Sequence, residues 1–193
     1  MTETSPRTLR ITTSDSRRAW HVEWHASLDS TMERASMLAR LETDEDIVVV
    51  ADYQHSGRGT HGRSWIAPRG SCLMFSFVIC PRLEIADLLS LPLTIAATIR
   101  DEVNVRYRLD VELDPPNDLM IGGRKVAGVL CQSHIRGANV DWVVCGVGLN
   151  TNLSAQDVTV PDSTSLRIAS GQIYQHEVLL GHLLGALDRI RDL

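Results

Sequence analysis

The spacing of apolar and polar positions divides the chain into strand-like and helix-like stretches. His21 to His25 alternates around Val22 and Trp24, the period of a short half-buried strand. Met32, Ala35, Leu38 and Ala39 share one helical face running to about Leu41, and Ser30 and Glu33 precede it at capping-box spacing. DIVVVAD (46–52) and CLMFSFVIC (72–80) are nearly unbroken apolar runs, as in strands buried on both faces. Ser90 can cap a helix with Pro92 in its first turn and Ile95, Ile99 and Val103 on its inner face. Short strands are predicted around 107–113, 125–133 and 141–148, divided by Pro115-Pro116-Asn117-Asp118, Gly122-Gly123 and Gly137. A last helix, about 175–192, aligns Leu180, Leu183, Leu184, Leu187 and Ile190. Gly181 and Gly185 each cost that helix about 1 kcal/mol relative to alanine, which predicts close packing against a neighbour. The pattern is α+β: a mixed, mostly antiparallel sheet with helices on one side. Residues 1–19 are polar and predicted to be a flexible N-terminal segment.

At 193 residues, 44% hydrophobic and 22% charged, the chain suits one globular domain with a sizeable core. A net charge of −5 argues against general nucleic-acid binding, so local arginines read as a focused pocket. Cys72, Cys80, Cys131 and Cys145 lie in strand-like surroundings with no C-x-x-C pair, which predicts reduced core thiols. No segment approaches the roughly 18 apolar residues of a membrane span, and the start lacks a secretory h-region. A cytoplasmic protein without membrane contact is expected.

Chemistry concentrates in DYQHSGRGTHGRSW (52–65), where Gly57, Gly59 and Gly62 alternate with Arg58 and Arg63 before Trp65. Glycines permit φ > 0 and expose N–H groups, guanidinium forks grip phosphate or carboxylate, and the indole offers a flat face. Gly57 to Ser64 resembles a P-loop but lacks its lysine, and Pro68 and Gly70 follow where a helix should begin. In 115–118, Asp118 can hold Mg²⁺ through oxygen, with Asn150 as a second donor; Asn-Asp after proline is also ordinary turn chemistry. Lys125 opens a strand beyond a glycine pair and can act as a point charge against an anion, or lie in solvent. Gly146 and Gly148 end a strand with small residues that let a ligand approach the backbone, or simply make a tight strand end.

STMERA (30–35), QHSGRGTHGRSW (54–65), PPNDL (115–119), RKVAGVL (124–130), GVGLN (146–150) and TSL (164–166), in this order, resemble the catalytic domain of biotin protein ligases. The resemblance implies a fold like that of class II aminoacyl-tRNA synthetases and lipoate ligases. It implies activation of biotin by ATP to biotinyl-5′-AMP, then transfer to one lysine of a biotin carboxyl carrier protein. By the same resemblance Lys125 and Arg58 are catalytic. Ser30, Thr31, Gln54, Gly57, Arg58, Lys125, Gly128, Gly146 and Gly148 line the biotin pocket. Arg58, Arg63, Trp65, Asn117, Lys125 and Asn150 hold ATP or the adenylate, and Asp118 and Asn150 place Mg²⁺. A homodimer formed by pairing sheet edges is also implied.

Two positions depart from the family pattern. Asp114-Pro115-Pro116-Asn117-Asp118 stands where the family usually reads K-W-P-N-D, so Asp114 replaces a lysine, and Thr60 stands where many relatives carry a second loop arginine. Near a triphosphate a unit charge at about 4 Å is worth roughly 4 kcal/mol at an effective dielectric near 20, so reversing its sign matters. The expected organisation is residues 20–193 as one ligase-like domain, with neither an N-terminal helix-turn-helix nor the C-terminal β-barrel usual in relatives. Two other readings stay open: a catalytically impaired biotin-binding paralogue, and a lipoate or octanoate transferase.

Overall fold

The computed structural model describes residues 5–13, 19–41, 46–80 and 84–191. Among these, strands β1 (Arg7–Thr12), β2 (Ala19–His25), β3 (Asp46–Ala51), β4 (Cys72–Ile79), β5 (Glu112–Asp114), β6 (Asp118–Ile121), β7 (Arg124–Arg136) and β8 (Asn139–Asn150) form one sheet. Its order is β1-β2-β3-β4-β8-β7-β6-β5, with β2 and β3 parallel and every other pair antiparallel. Helices α1 (Thr31–Ala39), α2 (Leu91–Tyr107), α3 (Leu166–Ser170) and α4 (His176–Arg191) complete the fold. The expected α+β sheet is present.

The continuous apolar runs are explained by burial on both faces, and this corrects the expectation of helices on one side. Val48, Val50, Phe75, Phe77, Cys145 and Val147 pack with Ile95, Ile99 and Val103 of α2 and with the leucines of α4. The alternate residues Val49, Val78 and Val144 pack on the opposite face with Met32 and Ala35 of α1. Parallel strands need a crossover, and α1, between β2 and β3, is that crossover.

Several local expectations change. Arg7–Thr12 is not loose: it pairs with β2 from Arg7↔Trp24 to Thr12↔Ala19, because Leu9 and Ile11 meet the core. Within the segment expected to be flexible, residues 1–4 and 14–18 lie outside the described residues, as does residue 192 of the last predicted helix. The strand predicted from 107 starts at Glu112, since α2 runs on to Tyr107 and Arg108 turns the chain at φ 54°. The Asn104 amide then takes the place of a strand partner, accepting from Val111 N (2.8 Å) and donating to Val111 O (3.0 Å). Strand β6 and the five-residue α3 are too short to show a periodicity. Ser30 makes no side-chain cap bond, and Glu33 turns to Arg58 instead. The tight packing expected at the α4 glycines is missing: a Cβ at Gly181 meets nothing within 4 Å, and one at Gly185 reaches only Thr13 at 3.8 Å. Of the cysteines, Cys72 and Cys145 are buried, but Cys131 is half-buried and Cys80 is exposed.

Candidate active site

Strand β3 leads into the glycine loop on the face that α1 shares. The loop pairs with itself: Gly59 N donates to Arg63 O (2.7 Å), Trp65 N to Gly57 O (2.9 Å) and Arg63 N to Thr60 O (3.1 Å). Of its three glycines only Gly62 has a positive φ, at 72°, and His61 beside it also adopts one, at 56°. Gly57 is needed for another reason, since a Cβ there would lie 2.4 Å from Trp65 O. Thus close approach, more than a run of left-handed turns, accounts for this glycine.

Two cavities meet under the loop. The first, about 40 Å³, is lined by Ser30, Thr31, Gln54, Arg58, Asn117, Lys125, Gly128, Gly146 and Gly148, with Met32, Thr60 and Trp65. The second, about 160 Å³, is lined by Arg63, Trp65, Ile66, Lys125, Asn150, Asp157, Val160 and Ser163. Lys125, Trp65 and Thr60 border both. Most residues that the resemblance assigned to biotin therefore converge on one cavity, and most of those assigned to nucleotide on its neighbour. Asn117 departs from this division: it borders the first cavity, and its amide donates to Val129 O at 2.8 Å. Gly57 lies behind Trp65, outside both linings.

The floor of the first cavity is polar. Gln54 Oε1 accepts from Thr31 N (2.8 Å) and Thr31 Oγ1 (3.1 Å), and Thr31 Oγ1 lies 2.8 Å from Ser76 Oγ. Ser30 Oγ and Trp65 Nε1 are buried without a partner, and each such group carries a desolvation cost until something bonds it. Ser76 escaped the sequence reading, although a lone serine inside the apolar run 72–80 was its visible signal. The strand glycines make room for the protein's own side chains as well as for a ligand. A Cβ at Gly146 would lie 2.8 Å from Met32 Cγ, and one at Gly148 2.5 Å from Trp65 Cε2. The indole therefore lies directly on β8 between the cavities.

Lys125 is fixed from several sides. A bulge in β6–β7 pairing lies between it and Ala127, its N donates to Asp162 O (2.7 Å), and its Nζ donates to Asp118 Oδ2 at 2.6 Å. The ammonium stands 5.8 Å from the Trp65 ring centre. Arg58 is ion-paired with Glu33 of α1.

The implied Mg²⁺ pair fits poorly. Asp118 keeps one oxygen without a partner, Oδ1, but its other is taken by Lys125. Asn150 Oδ1 accepts from Cys72 Sγ (3.1 Å) and its Nδ2 donates to Thr164 O (2.9 Å), so the amide is committed. Burial pushes the Cys72 thiol up to about 12, which keeps it protonated as that donor. Among the described residues no group of three or more His, Cys, Asp or Glu is placed to hold a metal. No helix there is long and apolar enough to cross a membrane.

The chain is 29% identical over 178 residues to the bifunctional ligase/repressor BirA of Bacillus subtilis, covering 89% of this chain and 54% of that one. It is 33% identical over 141 residues to the biotin–[acetyl-CoA-carboxylase] ligase of Mycobacterium tuberculosis, covering 68% and 50%. It thus spans about half the length of the curated relatives it matches. Among solved structures, the biotin protein ligase from Aquifex aeolicus in complex with biotin and ATP superposes with a TM-score of 0.75 at 27% identity, over 90% of this chain and 70% of that one. Residues 24–150, which carry the loop, Lys125 and the strand glycines, match the sequence model of the Biotin/lipoate A/B protein ligase family, and the chain belongs to that family.

Proposed function

We propose that the protein activates biotin with ATP and transfers it to a lysine of a biotin carboxyl carrier protein. The observation that carries this reading is Lys125, which borders both cavities. A carboxylate in the first and a triphosphate in the second would meet beside it. Bringing two such anions together costs roughly 4 kcal/mol per charge pair at about 4 Å, which a fixed cation offsets.

In the first step a biotin carboxylate oxygen attacks the α-phosphorus. A carbonyl–O–P bond forms, the α–β bridging bond breaks, and pyrophosphate leaves. Lys125 would leave Asp118 to neutralise the reacting oxygens, and Arg58 would exchange Glu33 for phosphate. Arg63 and Asn150 border the nucleotide side, with Trp65 between the ligands. Ser30, Thr31 and Gln54 would bond the ureido ring, Ser30 gaining the partner it lacks. In the second step the carrier's neutral lysine amine attacks the acyl carbon, AMP leaves, and the amine loses a proton as the amide forms. Mg²⁺ would enter with the phosphates of ATP; Asn150, bonded to Cys72 and Thr164, is not free to receive it.

A second reading, a biotin binder without turnover, is favoured by one register position. Asp114 pairs directly opposite Asp118, the carboxylate that holds the Lys125 ammonium. Incubation with biotin, Mg-ATP and a carrier domain, beside Asp114→Lys, tests both. Adenylate and biotinylated carrier support the ligase; biotin binding without either supports the binder. Octanoate turnover with no response to biotin would instead mark a lipoate or octanoate transferase. Cytoplasmic location belongs to the same proposal. So does a homodimer formed through the sheet's open edges, of which β1 is the longer; a monomeric sedimentation profile at high concentration would remove it.

A further inference from the structure

Cys131 of β7 and Cys145 of β8 stand directly opposite each other in antiparallel register. Whether such a pair can be bridged depends on which way the backbone points. Val129 N donates to Asn117 O (2.9 Å) and Val129 O accepts from Asn117 Nδ2 (2.8 Å), so both its backbone groups face away from β8. Two residues on, with the register unbroken, those of Cys131 point the same way. Cys131 and Cys145 are therefore a non-hydrogen-bonded pair, the kind whose Cα atoms lie about 4.5 Å apart with side chains closest. That separation falls at the short end of the span of about 4.4–6.8 Å that a disulfide bridges.

Access is one-sided. Cys145 is fully buried against the helices, whereas Cys131, packed on the same face, is only half-buried. The Cys145 thiol is held well above its ordinary range by burial and then by its hydrogen-bonded neighbour Cys131, so it enters second.

We propose that Cys131 and Cys145 form a reversible thiol–disulfide site that reacts with low-molecular-weight disulfides. The Cys131 thiolate attacks one sulfur of the small disulfide, forming a mixed disulfide and expelling one thiolate. The Cys145 thiol then loses its proton and attacks the Cys131 sulfur, and the second small thiolate leaves. The chain loses two hydrogens, and one small disulfide becomes two thiols. The next register pair inward, Leu130↔Gly146, lines the first cavity, so closing the bridge reshapes the floor on which biotin would lie. Only this last consequence rests on the proposed function.

The experiment treats the full chain carrying Cys80→Ser, which removes the exposed thiol, with oxidised glutathione. Intact mass should fall by two hydrogens, a proteolytic fragment should join the two strands, and dithiothreitol should reverse both. Cys131→Ser and Cys145→Ala should each abolish the bridge, and Cys131→Ser, at the half-buried position, tests it should Cys145→Ala not fold. A persistent glutathione adduct on Cys131, or two unmodified thiols, overturns the proposal. Biotin titration of the reduced and bridged forms should differ roughly fivefold or more. Equal affinities would remove the coupling, and no biotin binding by either form would count against the proposed function while leaving the mass result intact.

Discussion

At the residue scale, the two cations of the proposed site are already held in internal bonds. Lys125 is paired with Asp118 and Arg58 with Glu33, so on the proposed reading ligand binding would exchange partners. Lys125→Met should lower the rate of pyrophosphate release about 10²–10³-fold, the usual cost of removing one fixed donor to a developing anion. Far-ultraviolet circular dichroism should be unchanged by it; a variant that keeps its rate would exclude Lys125 from the chemistry. Gly148→Ala places a methyl 2.5 Å from the Trp65 indole and should displace that ring. We expect a changed tryptophan emission and a loss of stability of about 1–3 kcal/mol, as for overpacked cores. That Arg58, Lys125 and Trp65 border one cavity was readable from motif order. That Ser76 completes the Thr31–Gln54 network was not, because its three members are 23 and 45 residues apart along the chain.

At the scale of elements, periodicity located β3, β4, α2 and α4 well, since each buries a long apolar stripe. It failed where side-chain bonding replaces burial, as at Asn104 and Val111, or where elements span only three to five residues. Gly181 shows the limit of inference from helix propensity. Its sequence context suggested a packing role, but open space surrounds the position. Gly181→Ala should therefore stabilise the protein by about 1 kcal/mol, seen as a higher urea midpoint with an unchanged slope. Destabilisation would show that a neighbour fills that space in solution.

At the scale of the whole molecule, the end of α4 is fastened to the opposite end of the chain. Asp188 accepts from Trp20 Nε1 (2.9 Å) and Thr13, and pairs with Arg191 (3.0 Å), which reaches Asp46 (3.1 Å) and lies over the Trp20 ring. Removing one member of a buried charged pair leaves its partner unpaired, so Asp188→Ala should cost about 3–5 kcal/mol in chemical denaturation. A loss under about 1 kcal/mol would show that water reaches the pair. His176 supplies a pH-dependent tie: its Nε2 lies 2.6 Å from Thr151 Oγ1, which itself donates to Ser71 O. Burial first of all lowers its basicity below the ordinary 6.5. The folded state thus disfavours the charged imidazole, so this stability is present above about pH 6.5 and is lost as pH falls through the lowered value. His176→Gln should flatten the fall in urea midpoint on that acid limb; an unchanged slope would assign the fall to carboxylates. What the sequence by itself determined was the inventory: which stretches are apolar on one face or two, and which motif residues follow in family order. Tertiary structure alone decided that α1 lies on the face opposite α2 and α4, that Lys125 borders two cavities, and that Cys131 faces Cys145. Those facts depend on strand register and crossover direction, which arise from pairing between distant segments and leave no trace in local periodicity.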